Sequence, residues 1–286
     1  MRYEAPASLD AATRILADAG GTARVLAGGT DLLIQMRGDV VEPAVLVDIK
    51  NIAEMREISE DGARYRLGAA VTGMEIMEHE AFNAAWPGIV DGAKLIGSIQ
   101  IRGRATLGGN LCNASPAADS VPALIAAGAA ASVIGPGGRR SVPVEDIAIG
   151  PGKTSLEAGE IVVSFDLPER PPRSGDAYLR FTPRTEMDIA VVGVGVNLTL
   201  DDSGVCSAAR VSLGAVAERP LLVEQAAAAL IGTRVDDAAL GALSEAASAA
   251  CRPIDDKRGT REFRIEVAGV LAERAARIAL ERAEKR

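Results

Sequence analysis

The sequence has few of the residue types that build metal centres and histidine-based active sites. Its 286 residues contain one histidine, His79, and three cysteines. Cys112, Cys206 and Cys251 are far apart, so their spacing indicates neither a disulfide framework nor a clustered metal motif. A catalytic triad or a zinc site needs residues that this chain lacks. We therefore expect no metal site and no catalytic residue of this kind, and the cysteine usage favours the reducing cytoplasm.

Aromatic residues and long apolar runs are also scarce, and acidic residues outnumber basic ones. A net charge of -8 provides no attraction for a nucleic-acid backbone or an anionic membrane surface. The segment 120–138 is uncharged, but its glycines and prolines exclude a membrane-spanning helix. Aromatic residues make up only 3% of the chain, so the core should consist mainly of Ala, Val, Leu and Ile. We expect neither a nucleic-acid partner nor a membrane span.

Glycine, in contrast, is abundant, and two glycine-rich loops stand out. The first, 27–31, follows a predicted strand over Ala23–Leu26 and precedes a predicted helical turn over Leu32–Arg37. The second covers 105–110. Because glycine has no Cβ atom, the backbone of such loops can approach a phosphate closely and direct N–H groups at it. Each loop alone is commonly a plain tight turn, but the pair suits a dinucleotide pyrophosphate that is bound from two sides.

Two further glycine motifs resemble nucleotide-binding signatures and fail on inspection. Gly152 begins a Gly-Lys-Thr sequence, but the leading glycine of a P-loop would fall at Ile147. Gly193 and Gly195 follow a predicted strand, but the third glycine of the dinucleotide fingerprint would fall at Leu198. We expect these two glycines to permit close packing within a strand.

The pattern along the chain predicts an α+β protein. A helix capped by Ser8 and strands over Ala23–Leu26 and 44–49 indicate a small βαβ-type unit. A helix is predicted over 84–95 and an irregular loop over 96–119.

The prolines of 168–175 mark a domain boundary. Beyond it, 189–200 and 205–213 alternate like an antiparallel hairpin. A terminal helix over 261–283 is predicted to bury one apolar face. The residues of that face are Phe263, Val267, Val270, Leu271 and Ile278.

Several single residues have ordinary structural interpretations. A lone histidine such as His79 is normally structural, and Cys112 is expected to be a small buried filler. Arg102 and Arg104 are expected to be solvated charges, with docking or a phosphate contact as the alternative.

Ala-Gly-Gly-Thr-Asp at 27–31 and Thr-Leu-Gly-Gly-Asn at 106–110 resemble the paired FAD pyrophosphate motifs of one enzyme family. This family comprises the medium, flavin-binding subunits of xanthine dehydrogenase and aerobic carbon monoxide dehydrogenase, which are molybdenum hydroxylases. Further segments resemble blocks of the same family in the same order. They are 96–102, 110–119, 150–154, 160–162, 188–190 and 255–260.

The resemblance implies a vanillyl-alcohol-oxidase-type (PCMH-like) fold with a two-part FAD-binding domain and a C-terminal α+β domain that contains an antiparallel sheet and helices. The implied divisions are 1–52, 53–174 and 175–286. It also implies a set of residues around a noncovalently bound FAD. These are Ala27, Gly28, Gly29, Thr30, Asp31, Leu32, Ala105, Thr106, Leu107, Gly108, Gly109, Asn110, Asn113, Asp119, Ile161, Val162 and Arg180.

By the same resemblance, the chain is an electron-transfer subunit. A large subunit with molybdenum-pterin would oxidise the substrate, and a small subunit with [2Fe–2S] clusters would pass electrons to FAD, in a dimer of heterotrimers. The electrons would leave to an external acceptor. Two alternatives stay open: a stand-alone FAD-dependent oxidoreductase of the same fold, and a non-enzymatic nucleotide-binding module.

Overall fold

The N-terminal part of the chain forms a small parallel sheet with two helices. The computed structural model describes residues 1–62 and 64–286. The elements of this part are β1 (Arg2–Glu4), α1 (Leu9–Asp18), β2 (Ala23–Leu26), α2 (Leu32–Arg37) and β3 (Val45–Asp48). The sheet order is β1–β3–β2, and both strand pairs are parallel. The Ser8 hydroxyl accepts a hydrogen bond from Ala11 N (3.3 Å) and caps α1. The predicted βαβ-type unit is therefore confirmed.

The central part contains a five-stranded antiparallel sheet and six short helices. Its elements are β4 (Ile58–Asp61), β5 (Arg64–Gly68), α3 (Gly73–Glu78), α4 (Glu80–Ala85), α5 (Pro87–Lys94), α6 (Ile99–Arg102), α7 (Leu107–Cys112), α8 (Ser120–Ala126), β6 (Ala130–Gly135), β7 (Gly138–Pro143), β8 (Ala148–Gly150), β9 (Lys153–Thr154) and β10 (Ile161–Leu167). The strand order is β4–β5–β10–β6–β7, and β8 pairs with β9. Two 3-10 turns cover Ala53–Arg56 and Val144–Asp146.

Two predictions for this part are wrong in detail. The segment 96–119 is not irregular throughout, because the side chains of Ser98 and Thr106 cap the short helices α6 and α7. The helix predicted over 84–95 is interrupted at Trp86, which separates α4 from α5. The structural interpretation of His79 is confirmed, because its Nδ1 accepts a hydrogen bond from Phe82 N (3.1 Å) and caps α4.

The C-terminal part is a four-stranded antiparallel sheet covered by helices. Its elements are β11 (Ser174–Phe181), β12 (Val192–Leu200), β13 (Cys206–Gly214), β14 (Leu221–Leu222), α9 (Glu224–Ala228), α10 (Asp237–Ala250) and α11 (Arg261–Glu284). The strands follow the order β11–β12–β13–β14, which confirms the predicted hairpin. A Cβ atom on Gly195 would lie 2.5 Å from the Pro122 carbonyl oxygen, so this glycine does permit close packing.

The terminal helix packs on the sheet through small residues, and its predicted face is partly wrong. Phe263 and Val270 are exposed. The buried face of α11 consists largely of alanines: Ala268, Ala272, Ala275, Ala276, Ala279 and Ala283. The approach is so close that a Cβ atom on Gly175 of β11 would lie 1.9 Å from the Ala279 carbonyl oxygen.

Charged groups join the central part to the C-terminal sheet at a site that we call the domain junction. Asp176 on β11 is 3% exposed. Its carboxylate accepts hydrogen bonds from Arg170 Nη2 (2.7 Å) and Gly88 N (2.8 Å). Arg282 on α11 donates to the Asp91 carboxylate (2.7 Å) and to the Asp176 carbonyl oxygen (2.7 Å). The buried Asp176 carboxylate and the half-buried Asp91 carboxylate thus each have a guanidinium partner.

The hydrophobic residues form two cores. One is shared by the N-terminal and central sheets, and the other lies between the C-terminal sheet and its helices. The first strand of the C-terminal sheet begins at Ser174, one residue before the predicted boundary. The divisions 1–52, 53–174 and 175–286 stay predictions.

Candidate cofactor site

The two glycine-rich loops face one large cavity of about 610 Å³. This volume lies within the usual range for sites that hold small molecules and cofactors. Most of the residues predicted from the resemblance line the cavity. They are Ala27, Gly28, Gly29, Thr30, Asp31, Leu32, Ala105, Thr106, Gly108, Gly109, Asn110, Asn113, Ile161 and Val162.

The first loop offers a row of unused hydrogen-bond donors. The N–H groups of Gly28, Gly29, Thr30 and Asp31 have no acceptor among the residues that the structure describes. Backbone N–H groups normally find a partner, so consecutive free ones at a cavity wall indicate a ligand with several acceptor oxygens. A pyrophosphate has this chemistry, and the donor set therefore fits the diphosphate of FAD.

The two glycines of the first loop have different roles. Gly29 has φ = +79°, a backbone conformation that other residues rarely adopt. A Cβ atom on Gly28 would lie 2.0 Å from the Arg104 carbonyl oxygen. Gly28 therefore lets the first loop pack against the chain just before the second loop, and Gly29 provides the turn.

The two glycines of the second loop also have different roles. The Thr106 hydroxyl accepts a hydrogen bond from Gly109 N (3.0 Å) and begins α7. A Cβ atom on Gly108 would lie 2.5 Å from the Ala69 carbonyl oxygen, so Gly108 is required for packing. A Cβ atom on Gly109 would approach only the Thr106 Oγ atom, at 3.0 Å. Because Gly109 has no side chain, a ligand can approach the backbone at this part of the cavity wall.

The side chains of two asparagines connect the second loop to neighbouring segments through hydrogen bonds. Asn110 Oδ1 accepts hydrogen bonds from the Ser120 hydroxyl (2.7 Å) and from Ser120 N (3.2 Å). Asn113 Oδ1 accepts one from Gln35 Nε2 of helix α2 (3.0 Å). The second bond links the chain segments that follow the two loops. Gln35 also lines the cavity and was not predicted, because its distance of 78 positions from Asn113 leaves no local signal.

A second link reaches the first loop from strand β3. Lys50 Nζ donates to the Ala27 carbonyl oxygen (3.2 Å) and to the Asp48 carboxylate (2.7 Å). The Tyr3 hydroxyl donates to the same carboxylate (2.6 Å). Burial alone would raise the pKa of Asp48, but the hydrogen bonds from Lys50 and Tyr3 hold this pKa below its usual value. The charged pair therefore holds the carbonyl at the start of the loop in place.

The acidic group of the first loop lies in a different environment. Asp31 lines the cavity, and the surrounding protein raises the pKa of its carboxyl group by desolvation.

The interpretation of Cys112 as a buried filler is wrong. Its side chain is exposed to the cavity, of which it forms part of the wall. Because protein surrounds the cavity, desolvation raises the pKa of the thiol to about 12. A thiol with this pKa is protonated at neutral pH and is a poor nucleophile.

Three predicted residues do not line the cavity. Leu107 is 1% exposed and packs in the hydrophobic core. Asp119 and Arg180 form a buried ion pair of 2.6 Å. The Tyr178 hydroxyl also donates to Asp119 (3.0 Å). Desolvation raises the pKa of Asp119 to about 6, although Arg180 and Tyr178 act in the opposite direction. A direct contact of Asp119 and Arg180 with the cofactor stays a prediction.

The prediction that Arg102 is solvated is also wrong. Its side chain is buried and donates to the Lys94 carbonyl oxygen (2.8 Å), where it holds the end of α5. Arg104 is exposed, as predicted. The turn between β8 and β9 brings Gly152 and Thr154 into the cavity wall. The resemblance included the segment 150–154, but these residues were not selected as contacts.

The structure also limits other kinds of site. Over residues 1–62 and 64–286, we find no group of three His, Cys, Asp or Glu residues that could hold a metal ion. Within the same residues, no helix has both the length and the apolar character needed to cross a membrane.

Comparisons with known proteins identify the two parts of the chain. Residues 1–170 match the model of the FAD-binding domain in molybdopterin dehydrogenase. Residues 177–279 match the model of the CO dehydrogenase flavoprotein C-terminal domain. The chain belongs to the flavin subunits of the molybdenum-dependent dehydrogenases. The predicted family, its α+β fold and FAD as its cofactor are confirmed.

Named relatives of this flavin subunit match over nearly their whole length. The xanthine dehydrogenase FAD-binding subunit of Escherichia coli O157:H7 is 35% identical over 93% of this chain and 91% of the relative. The carbon monoxide dehydrogenase medium chain of Afipia carboxidovorans is 34% identical over 99% and 97%. A solved carbon monoxide dehydrogenase from Hydrogenophaga pseudoflava, which lacks the Mo-pyranopterin moiety of its cofactor, matches with a TM-score of 0.94. In that match, identity is 34% and coverage is 99% of this chain and 98% of the other.

Proposed function

We propose that this flavin subunit relays electrons from the [2Fe–2S] clusters of a small partner subunit, through noncovalently bound FAD, to an external acceptor. A large partner with molybdenum-pterin would oxidise the substrate. The observation that carries the proposal is the row of N–H groups at 28–31, which have no acceptor within the described part of the chain and line a cavity shared with the second glycine-rich loop. The bound isoalloxazine ring accepts electrons singly or in pairs, which suits it to join one-electron clusters to a two-electron acceptor.

The residues of this chain supply binding and orientation. The donors of 28–31 would hold the diphosphate, and the lack of a side chain at Gly109 would let it come close to the second loop. Ile161 and Val162 would pack against the apolar rings. The link from Lys50 to Ala27 would hold the start of the first loop in place, and the link from Gln35 to Asn113 would keep the two loops at a fixed separation.

The names of the relatives support a multi-subunit enzyme. They are called a FAD-binding subunit and a medium chain, and another solved relative is described as a Cu,Mo-CO dehydrogenase. We extend this to a dimer of heterotrimers in the cytoplasm. The relatives act on different compounds, which include carbon monoxide, nicotine, caffeine and quinoline by their names, so the substrate is left open.

Co-expression of this chain with its cluster-bearing and molybdenum-bearing partners tests the relay. We expect one complex by size-exclusion chromatography and rapid reduction of flavin by substrate in a stopped-flow instrument. The isolated chain should keep FAD and show no turnover. A chain that oxidises a small molecule alone at enzyme-like rates would instead be a stand-alone flavoenzyme, and a colourless chain would be a nucleotide-binding module.

Acid precipitation tests the mode of attachment. We expect all flavin in the supernatant, because the Cys112 thiol is protonated at neutral pH and the chain's single histidine, His79, caps α4 through Nδ1. Flavin absorbance that stays with the pellet would show a covalent bond and would contradict this part of the proposal.

A further inference from the structure

A second cavity of about 300 Å³ adjoins the cofactor cavity, and we call it the basic cavity. Thr106 lines both cavities. The residues that line the basic cavity are Lys50, Arg56, Ala70, Thr72, Glu75, Gly103, Arg104 and Thr106. Three of these are cations and one is a carboxylate. In a chain of net charge -8, a concave surface with excess positive charge is an exception that favours an anionic ligand.

The carboxylates near this cavity are already engaged. Glu75 accepts hydrogen bonds from Thr72 N (2.8 Å) and from the Thr72 hydroxyl (2.7 Å), and it forms an ion pair with Arg56 (2.5 Å). Asp48, which lies next to the cavity, pairs with Lys50 (2.7 Å). Counting both carboxylates, three cations face two anions.

Arg104 is the cation of this cavity that has no carboxylate partner among the described residues. Its side chain is exposed, and it has neither an ion pair nor a side-chain hydrogen bond among the described residues. The Thr106 hydroxyl accepts from Gly109 N, but within the same residues it donates to no acceptor. A guanidinium group with a nearby hydroxyl donor is well suited to a planar or tetrahedral oxyanion.

We propose that the basic cavity is a binding site for a small oxyanion of the phosphate or carboxylate class, with the Arg104 guanidinium as its main contact. The Thr106 hydroxyl and the Lys50 ammonium group supply further donors. The volume accommodates such an ion together with water. This site is separate from the diphosphate site, so it binds its ligand while FAD is bound, and it does not depend on the proposed electron-relay role.

Isothermal titration of inorganic phosphate into the FAD-saturated chain at constant ionic strength tests this inference. We expect saturable binding that weakens at least tenfold in Arg104→Gln. Arg14→Gln is the matched control, because Arg14 is an exposed arginine on α1, remote in sequence from the cavity residues. Both variants should unfold at the wild-type temperature, since neither side chain has a partner within residues 1–62 and 64–286.

Three results would overturn the inference. The first is the absence of saturable phosphate binding to the wild-type chain, and the second is equal affinity in Arg104→Gln. The third is phosphate binding only to the apoprotein with loss on addition of FAD, which would place the ion in the diphosphate site. A chain that does not hold FAD can still be titrated as apoprotein, where dependence on Arg104 separates this inference from the proposed function.

Discussion

The cofactor cavity and the domain junction use polar groups in different ways. In the cavity, the N–H groups of 28–31 have no acceptor among the described residues, and two glycine-rich loops form much of the wall. At the junction, the buried Asp176 carboxylate has both a guanidinium and a backbone N–H partner. Unsatisfied groups make a surface ready for a ligand, whereas satisfied buried charges fix two parts of the chain relative to each other. Substitutions in the cavity should therefore change binding, and substitutions at the junction should change stability.

The largest effect is expected at the junction. Asp176→Ala leaves the Arg170 guanidinium buried without its carboxylate and removes the acceptor of Gly88 N. We expect the free energy of unfolding to fall by about 3–5 kcal/mol in urea denaturation. Glu281→Ala is the control, because its ion pair with Lys285 is exposed and should contribute less than about 1 kcal/mol. Equal losses in both variants would contradict the importance of burial.

Gly109→Val is expected to weaken FAD binding and to leave the fold nearly unchanged. This glycine has no positive φ, so the substitution acts by filling the ligand side of the loop. FAD affinity should fall by about a hundredfold or more, which corresponds to roughly 2.7 kcal/mol, while the circular dichroism spectrum stays near native. Gly241→Val on α10 is the control, since a Cβ atom there meets nothing within 4 Å. Full flavin occupancy in Gly109→Val would place the diphosphate elsewhere.

The contribution of Asp119 to stability can be tested by changing the pH. This buried residue of the central part pairs with Arg180 of the C-terminal part. Its folded pKa of about 6 lies above the ordinary value of 3.8. The folded state thus binds the proton more tightly, so this contribution to stability is complete below pH 3.8 and is lost as pH rises through about 6. Relative to Asp119→Asn, the wild-type chain should lose on the order of 2 kcal/mol between pH 4 and pH 7.

Urea denaturation of both proteins at several pH values measures this difference. If the wild-type advantage grows with pH instead, the ion pair with Arg180 dominates and lowers the Asp119 pKa.

The smallest effect is expected for Gln35→Ala, which removes one hydrogen bond between the segments that follow the two loops. A single bond of this kind contributes roughly 0.5–1.5 kcal/mol, so FAD affinity should fall a few-fold to about tenfold. Flavin fluorescence titration measures the change, and the unfolding temperature serves as the control. An unchanged affinity would show that the loops keep their separation without this bond.

The residues that line the cavity were easier to predict from the sequence than the residues that hold its loops in place. The two loops could be recognised because each places two glycines beside polar residues in a short stretch: Thr30 and Asp31 in the first loop, Thr106 and Asn110 in the second. Gln35 and Lys50 act across long sequence separations, and their neighbours provide no signal for such contacts. The buried guanidinium of Arg102 was missed for a different reason: its acceptor at Lys94 is near in sequence, but the turn that brings the two together forms only when the chain folds.

The terminal helix shows a second limit of prediction from pattern. The large apolar residues of α11 suggested a face around Phe263 and Val270, whereas the helix turns its alanines to the sheet. Alanine is weakly apolar, so its periodicity is hard to distinguish from that of a solvated helix. What decides the orientation is the close approach at Gly175, which exists only in the tertiary structure.

This alanine face has a consequence for how the protein can evolve. Where a helix and a strand nearly touch, even one added methyl group needs space that the backbone does not leave. The inward alanine positions of α11 should therefore tolerate very few substitutions, although an alanine side chain carries no charge and no hydrogen-bonding group. A family alignment would then show strong constancy along this face, and a reader who equates constancy with chemistry would mistake a packing requirement for an active site.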